Sequence, residues 1–428
     1  MPRTKIVLIG AGSAVFGLGT LCDIIHAGED LKGSTVTLVD VNAEYLETIT
    51  NTARRMVKES GAELVIESTT DRREALKGAE FVIVSVAVNR IELWKNEFQI
   101  PLKYGVKHVL GENGGPGALF HSMRNIPIIL NICHDIQEIC PDALLLNFTN
   151  PMSRICLAVS KHTKVKAVGL CHQIGAGYRI VSQIMGIPKE ELQLTAAGIN
   201  HFTWITDMRK KDSNEDLYPK FREKLSIYDP TFEPLSRFLY DTFGLFPATG
   251  DGHAGEYVAF AGEIIGTKGY DYDAYEKGKD EMWQRLDRIN SGKESVDPLL
   301  KQVSGERAIP IICGILKNTC QYELAVNIPN DGHIANLPNG SIVEVPAVVN
   351  ASGVHGIHIG ELPYGIAALC NKQLMVQELV VEAAITGDRN IALQALLLDP
   401  LITSADAAKK ILDELLELEA DYLPQFSS

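Results

Sequence analysis

Apolar residues along this chain fall into two rhythms. Short apolar runs at residues 5–9, 35–39, 65–66, 81–86, 144–147 and 165–170, most of them rich in β-branched side chains, predict strands. Between them, residues 13–25 carry Val15, Leu18, Leu21 and Ile25 at helical spacing, and residues 45–60 and 126–139 read as further helices. Strands alternating with helices predict an α/β fold: a Rossmann-like, doubly wound parallel sheet over residues 1–195 with its functional residues at the carboxyl ends of the strands. Past residue 195 the rhythm changes. Aromatic and acidic segments over 218–283, short strands with turns over 327–354 and helix formers over 362–423 predict a C-terminal α+β domain, residues 196–428, completing the site.

Composition narrows the class. The 428 residues are 46% hydrophobic and 22% charged, and no apolar run approaches the roughly 18 residues that cross a bilayer. The first apolar stretch is too short for a signal peptide and ends in a glycine turn, so the expectation is a cytoplasmic protein without a membrane partner. A net charge of −14 with no dense basic run argues against nucleic acid. The eight cysteines (Cys22, Cys133, Cys140, Cys156, Cys171, Cys313, Cys320 and Cys370) lie in apolar contexts without a CxxC pair, as small buried hydrophobes would.

Chemistry enters at the strand ends. Gly10-Ala11-Gly12-Ser13 supplies the first two glycines of GxGxxG, with Val15 where the third would stand. Those two permit the tight turn and close approach of a pyrophosphate to a helix N-terminus. Asp40 ends the next strand, where a ribose 2′-hydroxyl acceptor belongs, and its charge repels a 2′-phosphate, which favours NAD over NADP. Asn150-Pro151 follows a later strand; lactate and malate dehydrogenases carry a similar pair, so it does not separate a dehydrogenase from other enzymes. Cys171-His172 follows the next strand, and Asn200-His201 follows a segment that returns to the same edge. A lone buried cysteine or histidine is usually structural. A thiolate and an imidazole at successive strand ends, with substrate hydroxyls and water completing the shell, suit Mn²⁺, Co²⁺, Ni²⁺ or Fe²⁺, whereas a closed zinc site would want four protein ligands.

With these residues the chain resembles the family 4 glycoside hydrolases, on the branch of α-glucosidases, α-galactosidases and α-uronidases. The resemblance spans nearly the whole length: Gly10-Ala-Gly-Ser13, Ile100-Pro-Leu-Lys-Tyr-Gly105, Gly114-Gly-Pro-Gly117 with Met123-Arg124, Asn150-Pro-Met152, Gly169-Leu-Cys-His172, Gly198-Ile-Asn-His201, Val326-Asn-Ile-Pro-Asn330 and Val343-Glu-Val-Pro346. It implies an NAD- and manganese-assisted glycosidase rather than the two-carboxylate kind. In that chemistry C3 of the sugar is oxidised, a base takes the proton on C2, the glycosidic oxygen leaves from C1, water adds, and the hydride returns.

Carried over by motif, Cys171 and His201 hold the metal, and Gly10, Gly12, Ser13, Asp40, Asn89 and Asn150 hold NAD. Asn150, His172 and His253 bind the sugar, and His172 is the candidate for protonating the leaving oxygen. The C2 base falls among Asp251, His253, Glu256 and Tyr257; Asp251 is favoured and Tyr257 second. Cys-His at the metal cysteine suggests an unphosphorylated α-glycoside or oligosaccharide and leaves the sugar open. Arg90, Arg124 and Lys103 are the cations that a uronic acid would need, although surface or ion-pair roles suit each better. The family also implies a homodimer or homotetramer. The main rival is an NAD-dependent 2-hydroxyacid dehydrogenase of the lactate or malate type, which leaves Cys171 with His201 unexplained; a nucleotide-sensing binding protein would leave the whole set unused.

Overall fold

The computed structural model describes residues 3–14 and 16–427; Val15 lies outside the described residues. The strands are β1 (Lys5–Ile9), β2 (Thr35–Val39), β3 (Val65–Thr69), β4 (Phe81–Val84), β5 (Leu144–Asn147), β6 (Lys166–Gly169), β7 (Leu192–Ile199), β8 (Phe202–Lys210), β9 (Phe246–Pro247), β10 (Gln321–Pro329), β11 (Ile342–Asn350) and β12 (Gly353–Gly356). They form a single sheet in the order β3-β2-β1-β4-β5-β6-β10-β11-β7-β8-β9, with β12 on β11. From β3 to β6 every pairing is parallel. The order reverses between β1 and β4, the switch point at which doubly wound sheets open a crevice beyond the strand ends. Ile6, Val7 and Leu8 of β1 are wholly buried, as expected of a central strand covered on both faces, and each contributes roughly 1.5–3 kcal/mol of burial.

Beyond β6 the sheet turns antiparallel. The joins are narrow: β10 meets β6 at Asn327 opposite Gly169, and β11 meets β7 at Glu344 opposite Gly198. The core is nonetheless shared, because the late helix Tyr364–Thr386 packs back against the helices Gly115–Ile139 and Met152–His162 that cover one face of the parallel strands. None of the described helices is long and apolar enough to cross a membrane.

One helix is longer than its pattern predicts. The expected helix at 126–139 begins eleven residues earlier, at Gly115. Gly115, Pro116 and Gly117 read as breakers, yet Pro116 sits in the first turn, where its missing N–H costs nothing. That start brings the Gly114 turn against Glu256 in the antiparallel half.

Candidate active site

A cavity of about 1340 Å³ opens above the carboxyl ends of the parallel strands and takes in Gly10, Gly12, Ser13, Asp40, Asn150, Cys171, His172, His201 and His253. At its nucleotide end the walls are backbone turns. Gly10 has φ +88°, and a Cβ there would lie 2.0 Å from the Ser85 carbonyl oxygen; one on Gly12 would lie 2.7 Å from the Asp40 carboxyl. Backbone excludes a side chain at Gly10, and one at Gly12 would displace the Asp40 carboxyl. Asp40 accepts from the N–H groups of Gly12 at 2.8 Å and Asn42 at 2.9 Å, which fixes the turn and leaves lone pairs facing the cavity. The Ser13 hydroxyl accepts from the N–H of Phe16, which opens the first helix. Asn89 was expected here and is not. It turns away, its amide donating to Glu92 at 2.7 Å at the start of the helix Arg90–Lys103, while Val88 and Arg90 on either side reach the cavity.

At the other end Cys171 Sγ stands 3.2 Å from His201 Nε2. Cys171 lies just past β6, and His201 is the second residue of the tight turn between β7 and β8, where Ile199 faces Phe202. His201 holds φ +61°, a conformation that costs a non-glycine residue about 1 kcal/mol or more and recurs where a side chain must be aimed. Burial pushes the His201 imidazole well below its ordinary pKa and the Cys171 thiol well above, the latter helped by Glu344. The histidine is therefore in its neutral, ligand form, and a cation bound beside it would hold the thiol as thiolate. The Nδ1 of His201 and the Oδ1 of Asn150 are buried without a protein partner among the described residues. Glu344 lies beneath the pair, accepting from Asn200 at 2.7 Å and Asn327 at 2.9 Å at the seam of the two half-sheets.

Two further imidazoles flank the pair, each tied through Nδ1 to a carboxylate. His253 sits 3.0 Å from Glu256, and its ring centroid is 4.2 Å from that of His201. Glu256 is wholly buried, its other oxygen accepting from the N–H groups of Glu112 (2.7 Å), Asn113 (2.7 Å) and Gly114 (3.3 Å). Burial alone would lower the pKa of His253, but the carboxylate outweighs it and raises the pKa. His201, His253 and Glu256 together form a cluster able to ligate an ion. On the exposed side, His172 meets Glu306 at 2.8 Å, and that hydrogen bond raises its pKa.

The favoured C2 bases are occupied elsewhere. Asp251 caps the helix Pro234–Phe243, its carboxylate accepting from the N–H groups of Leu235 (3.0 Å) and Ser236 (2.7 Å) and from the Ser236 hydroxyl (2.7 Å). Tyr257 is buried behind the site, donating to the Asn200 carbonyl at 3.1 Å and packed on Phe202, and burial drives its pKa well above the usual phenol value. Neither lines the cavity. Of the cations expected for an acidic sugar, Arg124 is buried between Glu97 and Glu419, and Lys103 pairs with Glu414 at 2.8 Å. Only Arg90 reaches the cavity, and Glu112 neutralises it.

Relatives accord with this geometry. The family model described as family 4 glycosyl hydrolase matches residues 5–187, and that of the C-terminal domain of the same family matches residues 196–402. An α-glucosidase of Erwinia rhapontici is 37% identical, over 98% of this chain and 99% of its own. A crystal structure of a 6-phospho-α-glucosidase from gut microorganisms, in complex with NAD and Mn²⁺, superposes with a TM-score of 0.86 at 21% identity, over 99% of this chain and 100% of its own. Malate dehydrogenase of Plasmodium falciparum shares the fold more distantly, with a TM-score of 0.54 and 14% identity over 90% of this chain and 99% of its own. A match over both halves of the chain, with the turn of Gly10 and the pair of Cys171 and His201 in one cavity, makes this protein a member of the family 4 glycosyl hydrolases.

Proposed function

We propose that this chain is an NAD- and divalent-metal-dependent α-glycosidase acting on unphosphorylated, uncharged glycosides. One observation carries the reading: a glycine turn shaped for a dinucleotide and a thiol–imidazole pair 3.2 Å apart open into the same cavity. The residues fit both groups. A Cβ at Gly10 would collide with the Ser85 carbonyl and one at Gly12 with the Asp40 carboxyl, so the turn stays tight at the nucleotide end, and the neutral His201 beside the Cys171 thiol is a donor set for a borderline-soft cation such as Mn²⁺, Co²⁺, Ni²⁺ or Fe²⁺. When bound, the dinucleotide supplies the hydride chemistry at C3 and the ion polarises the oxygens on C2 and C3.

The protein's own share follows from what faces the sugar. Asn150, with its buried amide oxygen unpaired, is suited to accept from a sugar hydroxyl. Glu256 beside Nδ1 of His253 favours the tautomer that carries its proton there and leaves Nε2 free beside His201; with Asp251 and Tyr257 engaged elsewhere, we assign the C2 proton to it. His172, exposed at the mouth and bonded to Glu306, is assigned the proton donated to the leaving oxygen.

The preference for an uncharged sugar rests on charge. Arg72, Arg73 and Arg90 are the permanent cations of the cavity among the described residues; the first two face Asp135 and the third Glu112. A phosphate or uronate would find no unpaired cation. The name of the Erwinia relative agrees and points to glucose. We also assign the enzyme to the cytoplasm as a homodimer or homotetramer, which sizing by light scattering tests.

Hydrolysis of a nitrophenyl α-glucoside with NAD⁺ and Mn²⁺ in D₂O tests the chemistry. Nitrophenol release without net NADH, and deuterium at C2 of the product, is expected, because the C2 proton is lost and replaced. Release with no C2 label means direct displacement; NADH accumulating with a 2-hydroxyacid, and no release, means a dehydrogenase.

A further inference from the structure

The strap of residues 301–307 crosses the mouth of the cavity and carries a carboxylate that no motif marks. Glu306 meets His172 Nδ1 at 2.8 Å, and its side chain is only 16% exposed although the imidazole it holds is 72% exposed. The strap is anchored on both sides of that contact. Before it, the backbone N–H of Ser304 donates to Asp23 at 3.0 Å and the Ser304 hydroxyl donates to the same carboxylate, while the Cys22 thiol donates to the Leu299 carbonyl at 3.2 Å. After it, Arg307 forks onto the wholly buried Glu323 of β10 at 2.7 and 2.8 Å. The N–H of Glu306 itself donates to the Ser304 hydroxyl at 2.9 Å. An exposed histidine on a free loop would sample several rotamers; one bonded to an anchored carboxylate has its Nδ1 held, which leaves Nε2 as the free ring nitrogen of a residue that lines the cavity.

We propose that Glu306 is the positioning residue of His172, fixing the imidazole so that Nε2 faces the glycosidic oxygen and the aglycone is the group it serves. This rests on the reading of His172 as the proton donor. In the step concerned, the electron pair left on C2 by the lost proton forms a C1=C2 double bond as the C1–O bond breaks with its pair going to the aglycone oxygen, and His172 supplies the proton that makes that oxygen a hydroxyl. Aglycones of low basicity leave as anions and need no such proton; sugar or methyl aglycones do.

Compare Glu306→Gln, Glu306→Ala and His172→Ala with the parent, using nitrophenyl and methyl α-glycosides of the same sugar. Thermal unfolding and NAD and Mn²⁺ binding serve as controls on folding. The expectation for Glu306→Ala is kcat within about threefold of the parent on the nitrophenyl substrate and lowered about 30-fold or more on the methyl glycoside, with KM little changed. Glu306→Gln, whose amide oxygen still accepts from Nδ1, should recover part of that loss. If His172→Ala shows the split by aglycone and neither Glu306 variant does, Glu306 is not the positioning residue. If His172→Ala falls equally on both substrates, the proton-donor reading itself fails. Equal losses on both substrates in the Glu306 variants, with the controls unchanged, also overturn the proposal.

Discussion

At one end of the cavity the ligand-facing surface is backbone from a single stretch of chain: Gly10, Gly12 and Ser13, closed by Asp40 at the end of the adjacent strand. At the other it is side chain, gathered from Cys171, His172, His201 and His253 on three separate segments, the imidazoles of His172 and His253 each tied to a carboxylate. The difference follows from what each end must do. A pyrophosphate is held by close approach and N–H groups, which a glycine turn provides by itself. A metal and two proton transfers need specific atoms at specific orientations, and those come only from side chains locked by second partners. One end should therefore fail by weaker binding, the other by lost turnover.

The largest effect tests the pair itself. Cys171→Ser and His201→Ala are each expected to cut turnover about 10³-fold or more, since a Lewis acid beside the developing charge supplies several kcal/mol. NAD affinity, measured by nucleotide fluorescence, should stay near the parent's. Chelation should inactivate reversibly and Mn²⁺ restore activity. Full turnover in metal-free buffer would sink the assignment.

Next comes Glu256→Gln. The carboxylate accepts three backbone N–H groups on one oxygen and orients His253 with the other, so an amide cannot serve both without presenting an N–H to a donor. Loss of such an outer partner is expected to cost about 10–100-fold in turnover or metal affinity. Equal activity in parent and variant would show that His253 needs no orientation.

This comparison also explains what could be read from the chain alone. The nucleotide end was legible because its parts are contiguous: a strand, a glycine turn, a helix and an acidic residue one strand later. Cys171 and His201 were legible because each follows an apolar run that delivers it to the strand edge. Glu306 and Glu344 were not assigned roles and Glu256 was named only among the candidate bases, since a glutamate in sequence looks like surface, and what the three do arises from contacts with residues 112–114, 172 and 200. Val343-Glu-Val-Pro346 marked Glu344 as part of the resemblance without saying that it buttresses the seam. Asp251 and His253, two residues apart on one short helical turn, face opposite ways, and no periodicity distinguishes them.

Asp40→Ala probes the backbone-built end and should act on binding alone. Removing a charge-assisted acceptor costs about 1.5–3 kcal/mol, so KM for NAD⁺ should rise about 10–100-fold, with kcat at saturating cofactor little changed. Discrimination against NADP should relax as the repelling carboxylate goes. A fall in kcat with unchanged KM would mean that the two ends are not separable as described.

The smallest effect is the one that checks the reassignment of Asp251. As the cap of the helix Pro234–Phe243 it satisfies two backbone N–H groups and a hydroxyl, a contribution of about 0.5–2 kcal/mol to stability. Asp251→Asn keeps one acceptor oxygen but turns an N–H toward the other donor and loses the charge near the helix N-terminus, so the expected loss is at the upper end of that range, read as a drop of a few degrees in Tm. Turnover on the nitrophenyl glycoside should stay within about threefold of the parent, because no reacting atom is within reach of a carboxylate turned into the helix. A base cannot be replaced by an amide at so little cost. If Asp251→Asn instead abolishes both turnover and C2 exchange while the fold and metal affinity persist, the carboxylate must leave its cap when the sugar binds, and the proton assigned to His253 belongs to Asp251.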